Sequence, residues 1–581
     1  MWWGGGLPTP HYSPTTPPLP IPHPLTPTTQ DDAWDDIEHG SAPPCSLDDR
    51  RATLSWKNLR VRVKDSKGAE RLILKGITGY CQPRHMLAIM GPSGCGKSTL
   101  LDTLAGRLAS SAESDGEIRV NGHKTGSLSY GKSAYVTQDE MLAGTLTVEE
   151  TLLFAARLRL PVATDKMAIV NSVIHELGLE SVRYTYVGNW HLRGISGGQR
   201  RRVAIGCELV TSPTLLFLDE PTSGLDSAAA YHVMASVRKL TEGCRTIITV
   251  IHQPASETFE LFDKLLLLAA GDTVYFGDAL KAEDMFAAAQ LAVPASRSAP
   301  DHFLHCINRD FQSETHDVER NIARLVATFR DSKISEATKS TVTEFHANPG
   351  EVYHVEKTAP SFFTQTGILT WRTLITNWRN VGTSQYLVVV VVVVVPRGTS
   401  SYPRSPPPSN PPFVGLFWMR LGMYIVLCLA IGFIYFQLGT SWKDVYSRAA
   451  LLFFVVAFLT FMAIAGFPAF VDEMKIYLRE RLNGYYSPMV FTLSNTFASL
   501  PFIWVIACVS TVCVYFIAGL SNDGGDVICG YCELYARERV ITRSLTYANS
   551  LIDAHSPSLT PLPCQTSFSI SSPVSPSSSP S

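Results

Sequence analysis

The stretch that decides the fold is Gly91-Pro92-Ser93-Gly94-Cys95-Gly96-Lys97-Ser98-Thr99, which fits the phosphate-binding loop pattern G-x-x-x-x-G-K-[ST]. Residues 86–90 before it are all apolar and predict a buried strand, and the apolar spacing over 98–108 predicts a helix. Glycines at such a strand-to-helix turn let backbone N–H groups approach phosphate oxygens. The loop therefore predicts nucleotide binding, and its expected contact residues are Gly91, Ser93, Gly94, Gly96, Lys97, Ser98 and Thr99.

Three side chains of this loop have separate expected roles. We expect Lys97 to bridge the β and γ phosphates, Ser98 to ligate Mg²⁺ and Thr99 to contact the α phosphate. A chance match in a turn is the alternative, and the predicted strand before and helix after the loop argue against it.

A pair of acidic residues, Asp219 and Glu220, follows the apolar run 215–218. A carboxylate at the end of such a strand is placed to hold Mg²⁺ through water, so Asp219 is a candidate metal residue. Glu220 could polarise the water that attacks the γ phosphate. The two could instead be a surface pair or the acidic start of a helix, but a fully apolar strand before them favours a site.

Ser196-Gly197-Gly198-Gln199 resembles the signature motif of ATP-binding-cassette (ABC) ATPases. The resemblance implies that this glycine-rich helix start offers N–H donors to the γ phosphate of an ATP held by a partner domain. It makes ATP and Mg²⁺ the expected cofactors. It also implies that two such domains act together as a dimer.

Three further residues match motifs of the same family. Gln138 matches the Q-loop glutamine, which senses Mg²⁺ and touches the membrane domain, so it is a candidate catalytic and metal residue. Asp226, in Ser223-Gly224-Leu225-Asp226, matches the D-loop. His252 follows a predicted strand and matches the switch histidine that contacts the γ phosphate.

Residues 52–310 alternate predicted strands and helices, as an α/β nucleotide-binding domain does. Before them, residues 1–51 are expected to be a disordered Pro-rich tail, and residues 311–387 after them a linker and amphipathic connecting region. No aromatic residue is an obvious stacking partner for adenine. Trp56 is a candidate, although it fits better as a residue packed in the sheet.

Three apolar runs predict membrane spans, at 421–436, 449–471 and 490–520. Buried helices of a soluble core are the alternative, but such long runs with almost no charge favour the bilayer. The charged segment 472–487 is predicted to be a cytosolic loop, because it carries more Lys and Arg than the connection 437–448. The expected fold class is thus an α/β P-loop ABC nucleotide-binding domain followed by an α-helical transmembrane domain.

The order of the domains resembles the G subfamily, the white–brown complex half-transporters. Residues 188–198 and 300–310 are similar to plant members linked to export of cuticular wax and cutin. Residues 466–474 and 479–486 look like the second span and the coupling loop of that subfamily. Members carry six spans, so the partial transmembrane domain at 413–520 is expected to lack the last three. The low-complexity stretches 388–412 and 521–581 have no counterpart, and we expect translated non-coding sequence or a truncated splice form there.

Composition excludes some function classes. Lys and Arg total 49 against 51 for Asp and Glu, so no basic excess indicates a nucleic-acid partner. The N-terminus lacks the basic and apolar regions of a secretory signal. The 12 scattered cysteines favour free thiols over a disulfide framework.

The sequence therefore predicts an ATP-hydrolysing ABC half-transporter subunit with Lys97, Ser196, Asp219, Glu220 and His252 in one half-site. It would work as a homodimer, or as a heterodimer with another half-transporter, and export lipid-like substrates. The expected location is the plasma membrane with the nucleotide domain in the cytosol. A non-transporting ATP-binding isoform that regulates full-length partners is the alternative. A soluble ABC ATPase acting on nucleic acid is disfavoured by the spans.

Overall fold

The computed structural model describes residues 51–64, 70–108, 111–124, 133–189, 192–309, 317–350, 359–379, 416–436, 438–439, 441–442, 444–464 and 467–519. The predicted stretches 388–412 and 521–581, and the predicted tail up to residue 50, lie outside these residues.

The strands of the described chain form two sheets. They are β1 (Leu54–Lys64), β2 (Glu70–Cys81), β3 (Met86–Met90), β4 (Ala112–Val120), β5 (His123–Lys124), β6 (Ser133–Val136), β7 (Leu215–Asp219), β8 (Thr246–Val250), β9 (Lys264–Ala269) and β10 (Asp272–Asp278). The smaller sheet is antiparallel in the order β2-β1-β4-β5, and the larger runs β10-β9-β3-β8-β7-β6. In the larger sheet only β10 pairs antiparallel.

Helices cover the sheets, and every described element after β10 is helical. They are α1 (Lys97–Leu104), α2 (Val148–Arg159), α3 (Lys166–Glu176), α4 (Gly197–Leu209), α5 (Ser227–Leu240), α6 (Ser256–Phe259), α7 (Ala282–Ala288), α8 (Ala299–Ile307), α9 (Val318–Arg330), α10 (Lys333–Ala347), α11 (Phe362–Arg379), α12 (Leu416–Ile434), α13 (Asp444–Ile464), α14 (Phe467–Leu482) and α15 (Pro488–Ala518).

The parallel strands place the predicted motifs at one edge. Strands β3, β7 and β8 are apolar and buried along almost their whole length, as a sheet covered on both faces requires. Their carboxyl ends lead into the phosphate-binding loop, Glu220 and His252, and β6 leads toward Gln138. Carboxyl ends of neighbouring parallel strands form the crevice where ligands bind in such folds. This confirms the predicted α/β fold.

Trp56 is part of the core. Its side chain is fully buried on β1, and its ring meets that of Phe276 edge-on at 6.3 Å between centroids. It packs between the two sheets, as expected for a residue of the sheet. From this position it cannot stack on a nucleotide base.

The cysteines follow the composition argument at most positions. Seven described cysteines are free thiols, of which Cys81 and Cys207 are the deepest in the nucleotide domain. Burial raises the pKa of both thiols to about 12, so neither is a reactive thiolate. Cys244 is disulfide-bonded, which the composition did not lead us to expect.

Each predicted span overlaps at least one helix, but the helices begin and end at other residues than the predicted spans. Within the described residues, α15 alone is long and apolar enough to cross a membrane by length and composition, and a shorter apolar helix covers Leu421–Ile434. Pro501 lies inside α15 without ending it. The predicted second span, 449–471, does not form one helix, because α13 ends at Ile464 and residues 467–471 belong to α14.

The predicted loop 472–487 is mostly helical, which corrects the sequence interpretation. Helix α14 continues to Leu482, and only the residues after it form a turn. The run of charges suggests a loop, but the charges are divided between two faces of the helix: Lys475 pairs with Asp472 in solvent, three residues apart. Tyr477 and Glu480 occupy the other face and are buried.

An ion pair holds α14 against α11. Both guanidinium nitrogens of Arg372 donate to Glu480, at 2.6 and 2.8 Å, and the Tyr486 hydroxyl donates to the same carboxylate at 2.6 Å. The side chain of Glu480 is 4% exposed, so it needs these donors. Arg379 makes a second bidentate pair from α11 to Glu150 of α2.

We expect Arg372→Ala to destabilise this helix pair by about 3–5 kcal/mol, because a buried carboxylate loses its cation. The measurement is the temperature at which the purified full-length chain loses its monodisperse elution peak. Lys475→Ala is the matched control, since its exposed pair is expected to contribute less than about 1 kcal/mol. Equal loss of stability in the two variants would contradict a structural role for the Arg372–Glu480 pair.

Candidate functional site

The phosphate-binding loop wraps around the amino group of Lys97. The Nζ atom donates to the carbonyl oxygens of Gly91 at 2.8 Å and Pro92 at 3.0 Å. Lys97 is also the first residue of α1, so the charge stands at the helix N-terminus. The loop therefore gathers backbone N–H groups and one cation at a single point, which suits phosphate oxygens.

Two positions of the loop require glycine, because neighbouring atoms lie too close for a Cβ atom. A Cβ atom at Gly91 would lie 2.2 Å from the carbonyl oxygen of Leu268, and one at Gly96 would lie 2.8 Å from the Leu74 side chain. Both glycines have positive φ, 151° and 104°. Gly94, at φ 75°, has open space around its α-carbon. Ser98 is exposed on the first turn of α1, and Thr99 next to it is half-buried.

Asp219 lies at the end of β7 beside Ser98. The Ser98 hydroxyl donates to Asp219 Oδ1 at 3.2 Å, and the Tyr135 hydroxyl reaches Oδ2 at 3.4 Å. Burial, and then the nearby Asp102 carboxylate, raise the pKa of Asp219 to about 6. The Tyr135 hydroxyl donates a hydrogen bond to Asp102 Oδ1 at 2.8 Å. Burial likewise raises the pKa of Asp102.

Glu220 and Gln138 meet across the sheet edge. The amide Nε2 of Gln138 donates to Glu220 Oε2 at 2.9 Å, and the backbone N–H of Glu220 donates to Val250 at 3.1 Å. Glu220 has a φ of 45°, a conformation uncommon for a residue with a side chain. This backbone turns its carboxylate out of the strand direction toward Gln138.

His252 is exposed beyond the end of β8 and approaches the loop. Its Nε2 lies 3.1 Å from the Ser93 hydroxyl. Next to them is a cavity of about 370 Å³, whose other wall comes from α8 and its flanks. Its lining residues are Gly91, Pro92, Ser93, His252, Gln253, Arg297, Asp301, Leu304, His305 and Asn308.

The signature residues begin helix α4. Ser196 is its N-cap, and the side chain accepts from the Gln199 N–H while the Gln199 side chain accepts from the Ser196 N–H. This capping box fixes the start of the helix. Gly198 packs against Ala229 of α5, and Asp226 caps α5 by accepting from Ala229 at 3.3 Å. Gly197 is exposed at the first helical position.

The donor set near Ser98 fits a hard cation. A hydroxyl and a carboxylate within 3.2 Å of each other are oxygen ligands, which Mg²⁺ prefers, and Gln138 could add an amide oxygen. Among the described residues, no group of three or more His, Cys, Asp or Glu side chains is placed to hold a metal alone. Such a site suits a cation that nucleotide phosphates also bind.

Three residues of the site were missed by sequence reasoning. Arg201 is 2% exposed and donates to the carbonyls of Thr137 and Gln138 at 3.1 and 2.9 Å. Tyr135 and Asp102 surround Asp219, as described above. The run Arg200-Arg201-Arg202 gave no sign of which arginine is buried, and the Tyr135–Asp102 pair is 33 residues apart in sequence.

A second polar cluster lies behind the site and is called the Glu208 cluster. Its residues are Glu208, Arg159, Asn483 and Tyr485, and all are at least nine-tenths buried. Arg159 donates to Glu208 Oε2 at 2.7 Å, and Asn483 and Tyr485 donate to Oε1 at 2.5 and 3.1 Å. The cluster joins α2 and α4 to the turn between α14 and α15.

Three protein-family profiles match the chain. The ABC transporter profile matches residues 74–223, and two ABC-2 type transporter profiles match residues 413–532 and 252–327.

Individual relatives are similar over most of the chain. The ABC transporter G family member 11 of Arabidopsis thaliana is 41% identical over 534 residues, 88% of this chain and 71% of its own. The ABC transporter G family member 1 of Petunia hybrida is 40% identical, covering 81% of this chain and 70% of its own. The broad substrate specificity ATP-binding cassette transporter ABCG2 of Mus musculus is 34% identical, covering 81% and 71%.

Proposed function

The chain belongs to the ABC transporter G family, and we propose that two chains close over ATP to export lipid-like molecules across a membrane. It is an ATP-driven half-transporter with an ABC ATPase domain and an ABC-2 membrane domain, and half-transporters of this family dimerise. The partner is a second copy of this chain or a related half-transporter.

The observation that carries the proposal is the separation of two phosphate-binding elements. Asp219, Glu220 and His252 lie at or just after the ends of parallel strands at one sheet edge, and Lys97 starts α1 after the loop that follows β3. Ser196 instead starts α4, which is fixed by its own capping box and by packing on α5. An ATP held by Lys97 of one chain would be completed by the signature of its partner.

Each side chain has a defined task in this proposal. Lys97 holds the β and γ phosphates, and Thr99 contacts the α phosphate. Ser98, Asp219 and Gln138 hold Mg²⁺, which would neutralise phosphate charge. Glu220 accepts a hydrogen bond from the attacking water, and Gln138 keeps its carboxylate at the site. His252 binds the γ phosphate, with Ser93 orienting its ring. Asp226 fixes the start of α5, against which the signature helix packs.

The membrane location in this proposal is supported by the chemistry of the described helices. Helix α15 carries no charged residue over its length, and Trp504 and Phe516 on it are more than half exposed. Helix α11 presents Phe363, Trp371 and Trp378 to the outside on one face. Aromatic residues of this kind suit a membrane–water interface. The protein would lie in the plasma membrane. The charged helix α14 and the nucleotide domain would be on its cytosolic side.

We expect Glu220→Gln to retain ATP binding and to abolish turnover, since it removes the base and keeps the fold. Lys97→Ala is expected to weaken binding itself. Both would be measured on full-length protein in vesicles, as equilibrium ATP binding, ATPase rate and ATP-dependent movement of a fluorescent long-chain fatty acid. Hydrolysis by Glu220→Gln at the wild-type rate would contradict its role. Active wild-type ATPase that moves no fatty acid would contradict the substrate class.

A mixed dimer tests whether the site is shared. Lys97→Ala and Ser196→Arg chains are each expected to be inactive alone. The purified heterodimer should recover roughly half of the wild-type ATPase rate, because one of its two composite sites is intact, and an unsorted equimolar mixture about a quarter, because only half of its dimers are mixed. The control pairs Lys97→Ala with Glu220→Gln, which leaves each site with one intra-chain defect. Recovery in the control, or none in the test pair, would contradict a shared site.

A further inference from the structure

Hydrogen bonds and one cation–π contact form a chain that leads from Asp219 to Asn483. One oxygen of Asp219 accepts from Ser98, and the other lies 3.4 Å from the Tyr135 hydroxyl. The same hydroxyl donates to Asp102 at 2.8 Å. Asp102 belongs to α1, Tyr135 to β6 and Asp219 to β7. A single hydroxyl therefore ties together the three elements that surround the proposed metal ligand.

The hydroxyl is not there for packing alone. Tyr135 is 4% exposed, and a phenylalanine would fill almost the same volume. A buried hydroxyl is costly unless it is hydrogen-bonded, so its two carboxylate neighbours account for its presence. The single proton of Tyr135 is shared unequally between Asp102 at 2.8 Å and Asp219 Oδ2 at 3.4 Å, and Ser98 donates to Oδ1, so each oxygen of Asp219 has a hydroxyl neighbour.

The chain continues from Tyr135 to the membrane side. The Arg107 guanidinium lies 4.6 Å above the Tyr135 ring, and its Nη2 donates to Asn483 Oδ1 at 2.5 Å. The side-chain amide of Asn483 donates in turn to the backbone carbonyl of Tyr135 at 3.2 Å. Asn483 is 7% exposed and directly follows α14. It thus contacts both the backbone of Tyr135 and the cation on its ring.

We propose that Tyr135 and Asp102 are positioning residues for Asp219, and that Arg107 and Asn483 connect that position to the turn between α14 and α15. The inference rests on the proposed role of Asp219 in holding Mg²⁺. It describes a route separate from Gln138, whose exposed side chain contacts Glu220 instead.

The route gives the membrane helices a direct contact with the metal side of the site. When the Asp219 carboxylate turns, the Tyr135 hydroxyl must follow it or lose a hydrogen bond. The ring then shifts under Arg107, and Arg107 shifts against Asn483. By thermodynamic reciprocity, a change at Asn483 must alter metal binding if a change at the metal alters Asn483.

The test compares Tyr135→Phe with wild type in the full-length chain. Binding of a fluorescent ATP analogue is titrated with Mg²⁺ and also measured in EDTA. We expect the Mg²⁺ concentration for half-maximal effect to rise about tenfold, as loss of a hydrogen bond to a charged group implies, with binding in EDTA unchanged. Asp102→Asn is expected to shift the Mg²⁺ midpoint in the same direction. Asn483→Leu is expected to shift it as well, although it lies outside the nucleotide site.

Two controls separate positioning from general loss of structure. Tyr275→Phe removes another buried hydroxyl, which donates to the backbone carbonyl of Asp278 on the antiparallel edge strand β10, and should leave the Mg²⁺ midpoint unchanged. Lys475→Ala is the exposed control for Asn483→Leu. A Tyr135→Phe midpoint equal to wild type, or an equal loss of binding in EDTA, would overturn the positioning role. An unchanged midpoint in Asn483→Leu would overturn the connection to the turn.

Asp219→Asn separates this inference from the proposed function. If Asp219→Asn leaves the Mg²⁺ midpoint unchanged, the assigned metal role of Asp219 fails. If Asp219→Asn shifts the midpoint and Tyr135→Phe does not, the metal role stands and the positioning inference fails.

Discussion

The buried carboxylate of Glu208 is the constraint on which the rest of the structure depends. A carboxylate that is 2% exposed destabilises a protein unless donors surround it, and here the donors come from two elements other than its own helix α4. Arg159 belongs to α2, while Asn483 and Tyr485 belong to the turn after α14. If the membrane helices separate from the nucleotide domain at this point, Glu208 Oε1 loses the donors Asn483 and Tyr485, and the carboxylate keeps only Arg159.

The position of Glu208 in the last turn of α4 lets a movement of the signature residues at the start of the helix reach the turn after α14. Helix α4 begins at the signature residue Gly197 and has Glu208 in its last turn, so the two lie about 17 Å apart along the helix axis. A partner chain that pulls on the signature would move the far end of the helix and the turn bound to it. Since Asn483 also contacts Tyr135, the same turn receives motion from both sides of the nucleotide site.

Contiguous motifs made the nucleotide domain predictable, because each combines its chemistry and its local structure within a few residues. The loop 91–99 between a strand and a helix, the pair Asp219 and Glu220 at a strand end and the helix start at Ser196 all lie where the sequence predicts them. The residues that connect them could not be predicted, because Asp102, Tyr135 and Asn483 meet only after the strands pair and the helices pack. The sequence predicts a loop where residues 472–482 of α14 are helical, for a similar reason. The buried carboxylate of Glu480 on this helix is neutralised by Arg372 of α11, and the two residues are 108 positions apart in sequence.

Hydrogen–deuterium exchange in residues 480–490 tests the central claim, that the nucleotide site and the membrane-side turn are joined through the Glu208 cluster. The full-length chain in lipid nanodiscs would be compared with and without ATP and Mg²⁺. The account predicts that exchange changes in this segment together with the protection of residues 91–99. Protection of 91–99 with unchanged exchange over 480–490 would contradict it.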